Sequence, residues 1–264
     1  MMVAALLIGA ICGLIFLIGR LRPLLAVQLS VFLAMCSTHY WVIELPGSLP
    51  NITIQRALII TLFLILRSSW AFGKQRLAGV VNQGFRWVVV AITFSLIGGV
   101  NWEDGPKEWL SFLVESWFFF NLSLRAASTA REARAVLRAA VLGLVVVAGF
   151  TFLERYWGFN PVDRYLPGYE RSQGTYGDVL ATFPHRILLG TAMAMAVPLL
   201  CAAEILPWTK GQGGPRRLVQ LVMIGACASA CYFSGSRGPW LGLVIGMGVL
   251  GWLGIRRQRV MLFV

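Results

Sequence analysis

The stretch with the most chemistry in it is "FSGSRGPWLGL", residues 233–243. Arg237 stands between two glycines, Gly235 and Gly238, and beside two serines, Ser234 and Ser236, in a short break between apolar runs. Glycine leaves room for another group to approach the backbone, and Pro239 suits the first turn of a helix, where a missing N–H costs nothing. The N-terminus of that helix would offer unpaired N–H groups and a partial positive charge. Guanidinium, hydroxyls and helix terminus together make an anion site, most naturally for phosphate. The competing reading is a tight interhelical turn whose arginine meets lipid phosphate, and the residues alone leave both open.

A second basic group sits in "YERSQGTYGDVLATFPHRILLGTAM", where Arg171, Gly174, His185 and Arg186 flank the start of another helix marked by Pro184. Arg171 has Glu170 and Asp178 as sequence neighbours, so a salt bridge is the alternative to a ligand there. His185 reads either as a proton carrier or as a helix cap. Gln55 and Arg56 open an earlier helix and read as anchors of its end.

The elements that must hold these residues are helices in lipid. Hydrophobic residues make up 58% of the 264 positions and charged residues 13%. Apolar runs of about 17–22 residues recur, and about 20 helical residues cross a hydrocarbon core. Runs such as "LVVVAGFTF" do not alternate as barrel strands would. The expectation is an all-α, polytopic transmembrane bundle forming one domain over 1–264, with nine helices near 3–19, 24–43, 54–72, 84–100, 109–124, 135–153, 183–206, 218–234 and 239–255.

Charge supports that order. The net charge of +12 would in a soluble chain suggest nucleic acid, but here no nucleic-acid partner is expected, because topology accounts for it. Alternate connections collect most of the 23 Lys and Arg, among them Arg20, Arg22, Arg131, Arg134, Arg216, Arg217, Arg256 and Arg257. The opposite connections hold Glu103, Asp104, Glu154, Asp163, Glu170 and Asp178. Arg171, Arg186 and Arg237 fall on this second, outer side. The first run has no basic segment before it and reads as a spanning helix with its start outside, not as a cleaved signal. At the other end "VMLFV" begins a further apolar run after "RRQR", so the chain is expected to continue beyond Val264.

Residues 154–182 form an outer loop of about thirty residues, long enough to suggest function. Its aromatics, Tyr156, Trp157, Phe159, Tyr165, Tyr169 and Tyr176, suit either sugar stacking or an interfacial belt. The five cysteines (Cys12, Cys36, Cys201, Cys227, Cys231) lie in apolar runs and read as packing residues, so neither a disulfide framework nor a metal site is expected.

"FSGSRGPWLGL" resembles the Thr/Ser-x-Ser-Arg-Gly-x-x-Leu-Gly signature of bacterial O-antigen ligases and related polymerases. "RSQGTYGDVLATFPHRILLGTAMAMAVPLL" (171–200) is similar to their Arg-x-x-Gly-Thr-(Phe/Tyr)-Gly motif and the apolar helix after it, and "ITIQRALIITLFLIL" (52–66) fits an early helix of the family. The resemblance implies a multi-pass protein of the bacterial inner membrane. It would transfer a glycan from an undecaprenyl-pyrophosphate carrier to a hydroxyl of a lipid A core, a polysaccharide or a protein, with membrane lipids around it and no metal or cofactor. Arg171 and Arg237 would hold the diphosphate, with Arg186, Ser236, Gly238, Gly174 and His185 beside them. "FPHR" replaces the family's Asn-Pro-Asn, so His185 inherits no role. The family's acceptor-activating histidine follows the region present here, so no catalytic residue is assigned. An inorganic-carbon transporter group is also similar, which makes transport of a small anion such as bicarbonate the alternative.

Overall fold

The computed structural model describes residues 2–36, 42–43, 52–68, 83, 86–91, 93–94, 109–111, 113–127, 129–160, 179–183, 185–201 and 213–262. These are predominantly helical. They fall into two compact units, one of residues 1–34 and 41–136, the other of residues 35–40 and 137–264.

In the first unit, α1 (Met2–Leu21) packs against α3 (Ile54–Ser68). The buried positions of α3, Ile54, Leu58, Ile59, Leu62, Ile65 and Leu66, repeat at helical spacing and form one face. Ile65 lies directly over Gly19 of α1, where any side chain would collide with it. The helix α2 is described over Pro23–Cys36. Val42 and Ile43 were expected in that helix. Instead they form a two-residue strand, β1, antiparallel to β2 (Ile52–Thr53), with Val42 opposite Thr53 and Ile43 opposite Ile52. Branching at Cβ favours the extended backbone at both ends of this ladder. Thr53 then caps α3, its Oγ1 accepting the Arg56 N–H at 3.2 Å. Where a single α-helix over 109–124 was expected, Leu113–Phe118 is a π-helix that continues into α4 (Phe119–Arg125). Of the helix expected over 84–100, residues 86–91 and 93–94 are described and are helical; the others lie outside the described residues.

The helix α5 (Ala130–Trp157) is longer at both ends than its apolar run. A capping box explains its start: Thr129 Oγ1 accepts the Glu132 N–H at 3.2 Å, and Glu132 Oε2 accepts the Thr129 N–H at 2.9 Å. Residues 137–157 of α5 belong to the second unit with α6 (Arg186–Cys201), α7 (Gly213–Phe233) and α8 (Arg237–Leu262).

The centre of the second unit is α6, which packs along both α7 and α8. Its Leu189, Met193, Ala196, Val197 and Leu200 are buried with Val141, Leu144 and Val147 of α5, Cys227 and Cys231 of α7, and Leu243 of α8. Both cysteines are free thiols filling core volume. Gly190 lies against Pro239, and Pro198 against Gly246, so α6 and α8 run parallel and begin at the same end. At the opposite end Gln220 Nε2 donates to the Leu200 carbonyl, which ties α7 to α6.

Outward faces remain apolar. On α7, Leu218, Val219, Leu221 and Val222 are exposed, and on α8 so are Leu241, Val244, Ile245 and Val249. Among the described residues one helix, Ala130–Trp157, is long and apolar enough by itself to cross a membrane; Ala5–Leu21, Pro23–Cys36, Arg186–Cys201 and Leu218–Phe233 are shorter apolar helices.

Candidate functional site

The end of the second unit where α6 and α8 begin gathers most of the described polar chemistry of that unit. It is built around the turn from α7 to α8. Ser234 N–H donates to the Ala230 carbonyl at 3.1 Å and Gly235 N–H to the Tyr232 carbonyl at 3.0 Å. Gly235 has φ +64°, the left-handed conformation that ends a helix and that glycine adopts without a side-chain penalty. Ser234, fully buried, donates its hydroxyl to the Cys231 carbonyl at 2.7 Å and accepts the Ser236 N–H at 3.4 Å. The turn is therefore closed from inside by one serine.

Its partner serine is different. Ser236 stands at the N-cap of α8 and is 6% exposed, yet its Oγ has no hydrogen-bond partner. A capping hydroxyl normally takes the N–H of the second or third helical residue. Here the third is Pro239, which has no N–H.

Arg237 and Gly238 follow, both exposed. Among the described residues Arg237 has no ion-pair or hydrogen-bond partner. The backbone N–H groups of Arg237 and Gly238 are the unpaired first-turn donors of α8.

Arg186 and His185 lie at the start of α6, and the parallel packing puts that start at the same end as Arg237. His185 is the cap: its Nδ1 accepts the Ile187 N–H at 3.2 Å, and its carbonyl accepts those of Leu188 and Leu189 at 3.1 and 3.2 Å. Arg186 is partly buried. Two helix N-termini, each carrying about half a positive charge, thus share one end with two arginines. Arg171, Gly174 and Pro184 lie outside the described residues, as do Tyr165, Tyr169 and Tyr176.

Three residues not singled out as ligands shape this end. Glu154, in the last turn of α5, accepts the N–H of Ala181 at 2.6 Å and of Leu180 at 3.3 Å on Oε2. Asn160 Nδ2 donates to the Ala181 carbonyl at 3.0 Å. Ala181 has φ +48°, a conformation that strains any residue with a Cβ. Together with the Val179 N–H, which donates to the Phe233 carbonyl at 3.5 Å, these bonds hang residues 179–183 between α5 and α7. That segment delivers the chain to His185 and Arg186. The third residue, Arg155, places its guanidinium carbon 5.9 Å from the centre of the Phe233 ring, one residue before the turn. An acidic residue 26 and 27 positions from its partners leaves no local signal, and neither does an arginine over a ring from another helix.

Phe152, Tyr156, Tyr232, Phe233 and Trp240 form a connected aromatic cluster at this end, with ring centres 5.5–6.1 Å apart. Tyr156 and Tyr232 are each 65% exposed, so each keeps much of its surface available. No protein-family model, curated protein or solved structure matches the chain.

Proposed function

We propose that the protein is a multi-pass membrane glycan transferase of the O-antigen ligase type, working at the periplasmic face of the bacterial inner membrane. Its donor is a glycan on undecaprenyl pyrophosphate, and its acceptor a hydroxyl of a lipid A core, a polysaccharide or a protein. Exposed Leu, Val and Ile along α7 and α8 support a lipid environment, since soluble surfaces rarely carry such continuous apolar area. Basic connections on one side and acidic ones on the other support the multi-pass topology.

The observation that carries the reading is Arg237, an exposed cation without a partner among the described residues, at the end where two helices begin. In the transfer, the anomeric carbon leaves the diphosphate oxygen and bonds to the acceptor oxygen, whose proton passes to a base. Negative charge grows on the departing diphosphate. Fixed cations and helix N–H groups stabilise that charge more in the transition state than in the ground state, which is what accelerates the step. Arg237 takes the diphosphate oxygens, Arg186 assists, and the first N–H groups of α8 complete the cradle; Arg171 joins them by analogy with the family motif.

The test uses the full-length protein in vesicles with lipid-linked glycan and acceptor. Arg237→Ala should lower transfer by about 10²-fold or more, the loss typical of removing one transition-state donor. Arg237→Lys should recover little of it, because a lysine lacks the planar fork that pairs with two oxygens. Membrane insertion should be unchanged in both. Full transfer by the alanine variant overturns the proposal, and solute uptake without any acceptor would favour anion transport instead.

A further inference from the structure

The first unit has a polar cluster of its own, built around the π-helix Leu113–Phe118. A π-turn holds one residue more than an α-turn, and such turns occur mostly as single insertions within α-helices. Here the segment runs directly into α4, so it carries one residue beyond what an α-helix along the same path would need. None of its six residues is buried, so core packing does not account for the wider turn.

Polar contacts from α3 do. Gln55 Nε2 donates to the Glu115 carbonyl at 3.3 Å, and Arg56 Nε meets the Glu115 carboxylate at 2.7 Å. Successive residues of α3 thus grip Glu115 by its backbone and by its side chain. The other arm of the same guanidinium, Nη2, donates to Ser111 Oγ at 2.7 Å, on the far side of the point where the π-helix begins. At the exit into α4, Asn121 Nδ2 donates to the Trp117 carbonyl at 2.8 Å, and Phe118 lies against Phe63 of α3 with ring centres 5.8 Å apart.

The Arg56 fork therefore spans the surplus residue. If that residue passed out of the π-turn toward the N-terminus, 113–118 would close into an α-helix. The turn before it, Trp109–Ser111, would rotate by about 100° and move by about 1.5 Å, the step of one residue. Ser111 would then leave the guanidinium. This preceding turn is held by polar contacts more than by packing: none of Trp109, Leu110 and Ser111 is buried, and Trp109 Nε1 donates to Thr93 Oγ1 at 3.0 Å. We infer that Leu113–Phe118 is a register switch, a π-turn kept open by Gln55 and Arg56, whose release converts it to α-helix and turns the segment before it by one residue. The switch stands apart from the reading of Arg237, and its test needs no glycan substrate.

The test is fluorine NMR of the full chain in nanodiscs, with trifluoromethyl-phenylalanine in place of the exposed Leu110. The unclamped variant combines Gln55→Ala, Arg56→Met and Glu115→Gln, so that no charge is left without its partner. We expect its fluorine resonance to shift from the wild-type position or to split in two. Deletion of Val114 removes the surplus residue and leaves the flanking turns in place, so it should keep the wild-type resonance and hold it when the clamp is removed as well. Deletion of Val146 is the control. In the regular helix α5 it turns the buried Val141 and Leu144 away from Val147 and Ala148, and it should lower the melting temperature far more than deletion of Val114. Should the triple variant fold poorly, Gln55→Ala with Arg56→Lys keeps the charge pair but loses the fork to Ser111, and the same outcomes decide. An unmoved resonance in the unclamped variant overturns the switch. So does an equal shift when the clamp is removed from the Val114 deletion, because the change then needs no surplus residue. Equal losses of thermal stability in the two deletions overturn the surplus residue itself.

Discussion

The Glu154 carboxylate holds the Ala181 N–H at 2.6 Å across 27 positions of sequence, and Ala181 is held there at φ +48°. A carboxylate and a strained alanine thus fix the path into α6. Replacing Ala181 by glycine removes a steric cost of about 1–2 kcal/mol and adds a conformational cost of about 0.5–1 kcal/mol. Ala181→Gly should therefore be neutral or slightly stabilising in a thermal melt in detergent. Ala148→Gly, at a buried helical position of α5, should lower the melting temperature. Glu154→Ala should slow glycan transfer without loss of insertion, because it frees residues 179–183 and with them Arg186.

Gly190 and Gly225 make a contrasting pair. A methyl at Gly190 collides with Ser234 and Pro239, and overpacking of this kind costs about 1–3 kcal/mol. Gly225, exposed within α7, has nothing within 4 Å of such a methyl. Gly225→Ala should stabilise by about 0.5–1 kcal/mol through helix propensity alone. Opposite shifts in the midpoints of thermal unfolding would check both, and equal shifts would count against the packing of α6 on the turn.

His185 caps α6 through Nδ1. If capping is its task, Asn and Asp should replace it, since both accept first-turn N–H groups, whereas Ala should cost about 1 kcal/mol. Transfer activity of His185→Asn is the discriminating measurement. Near wild-type activity supports the cap, and a loss as deep as that of His185→Ala would assign the imidazole a proton.

In the first unit Arg56 Nε meets Glu115 Oε1 at 2.7 Å while its Nη2 donates to Ser111 Oγ at 2.7 Å. The side chains are 20% and 13% exposed, so the pair is largely withdrawn from solvent. Glu115→Gln should destabilise by about 1.5–3 kcal/mol, the range for a hydrogen bond to a charged group. Arg56→Lys should not restore the arrangement, because one ammonium cannot reproduce the fixed fork that reaches Glu115 and Ser111 together. A double-mutant cycle read by thermal unfolding isolates the pair.

Local pattern was enough to establish the helical class, the start of α3 at Ile54 and a break near Gly235, expected over 235–238 and observed over 234–236. Hydrophobic period, proline position and glycine at a helix end act within a few residues, so they can be read in order along the chain. The Thr129–Glu132 capping box was missed, because hydrophobic period put the start near residue 135 whereas the box sets it at Ala130. The strand at Val42 and Ile43 was not legible either, because their pairing with Thr53 and Ile52 overrides a hydrophobicity that suits either helix or strand. Only the tertiary structure decided that α6 and α8 run parallel and start together, that Glu154 supports Ala181, and that Gln55 and Arg56 grip Glu115 in the π-helix. Each of these joins residues that no short-range preference relates, and packing between distant segments selects them by shape and by the pairing of polar groups.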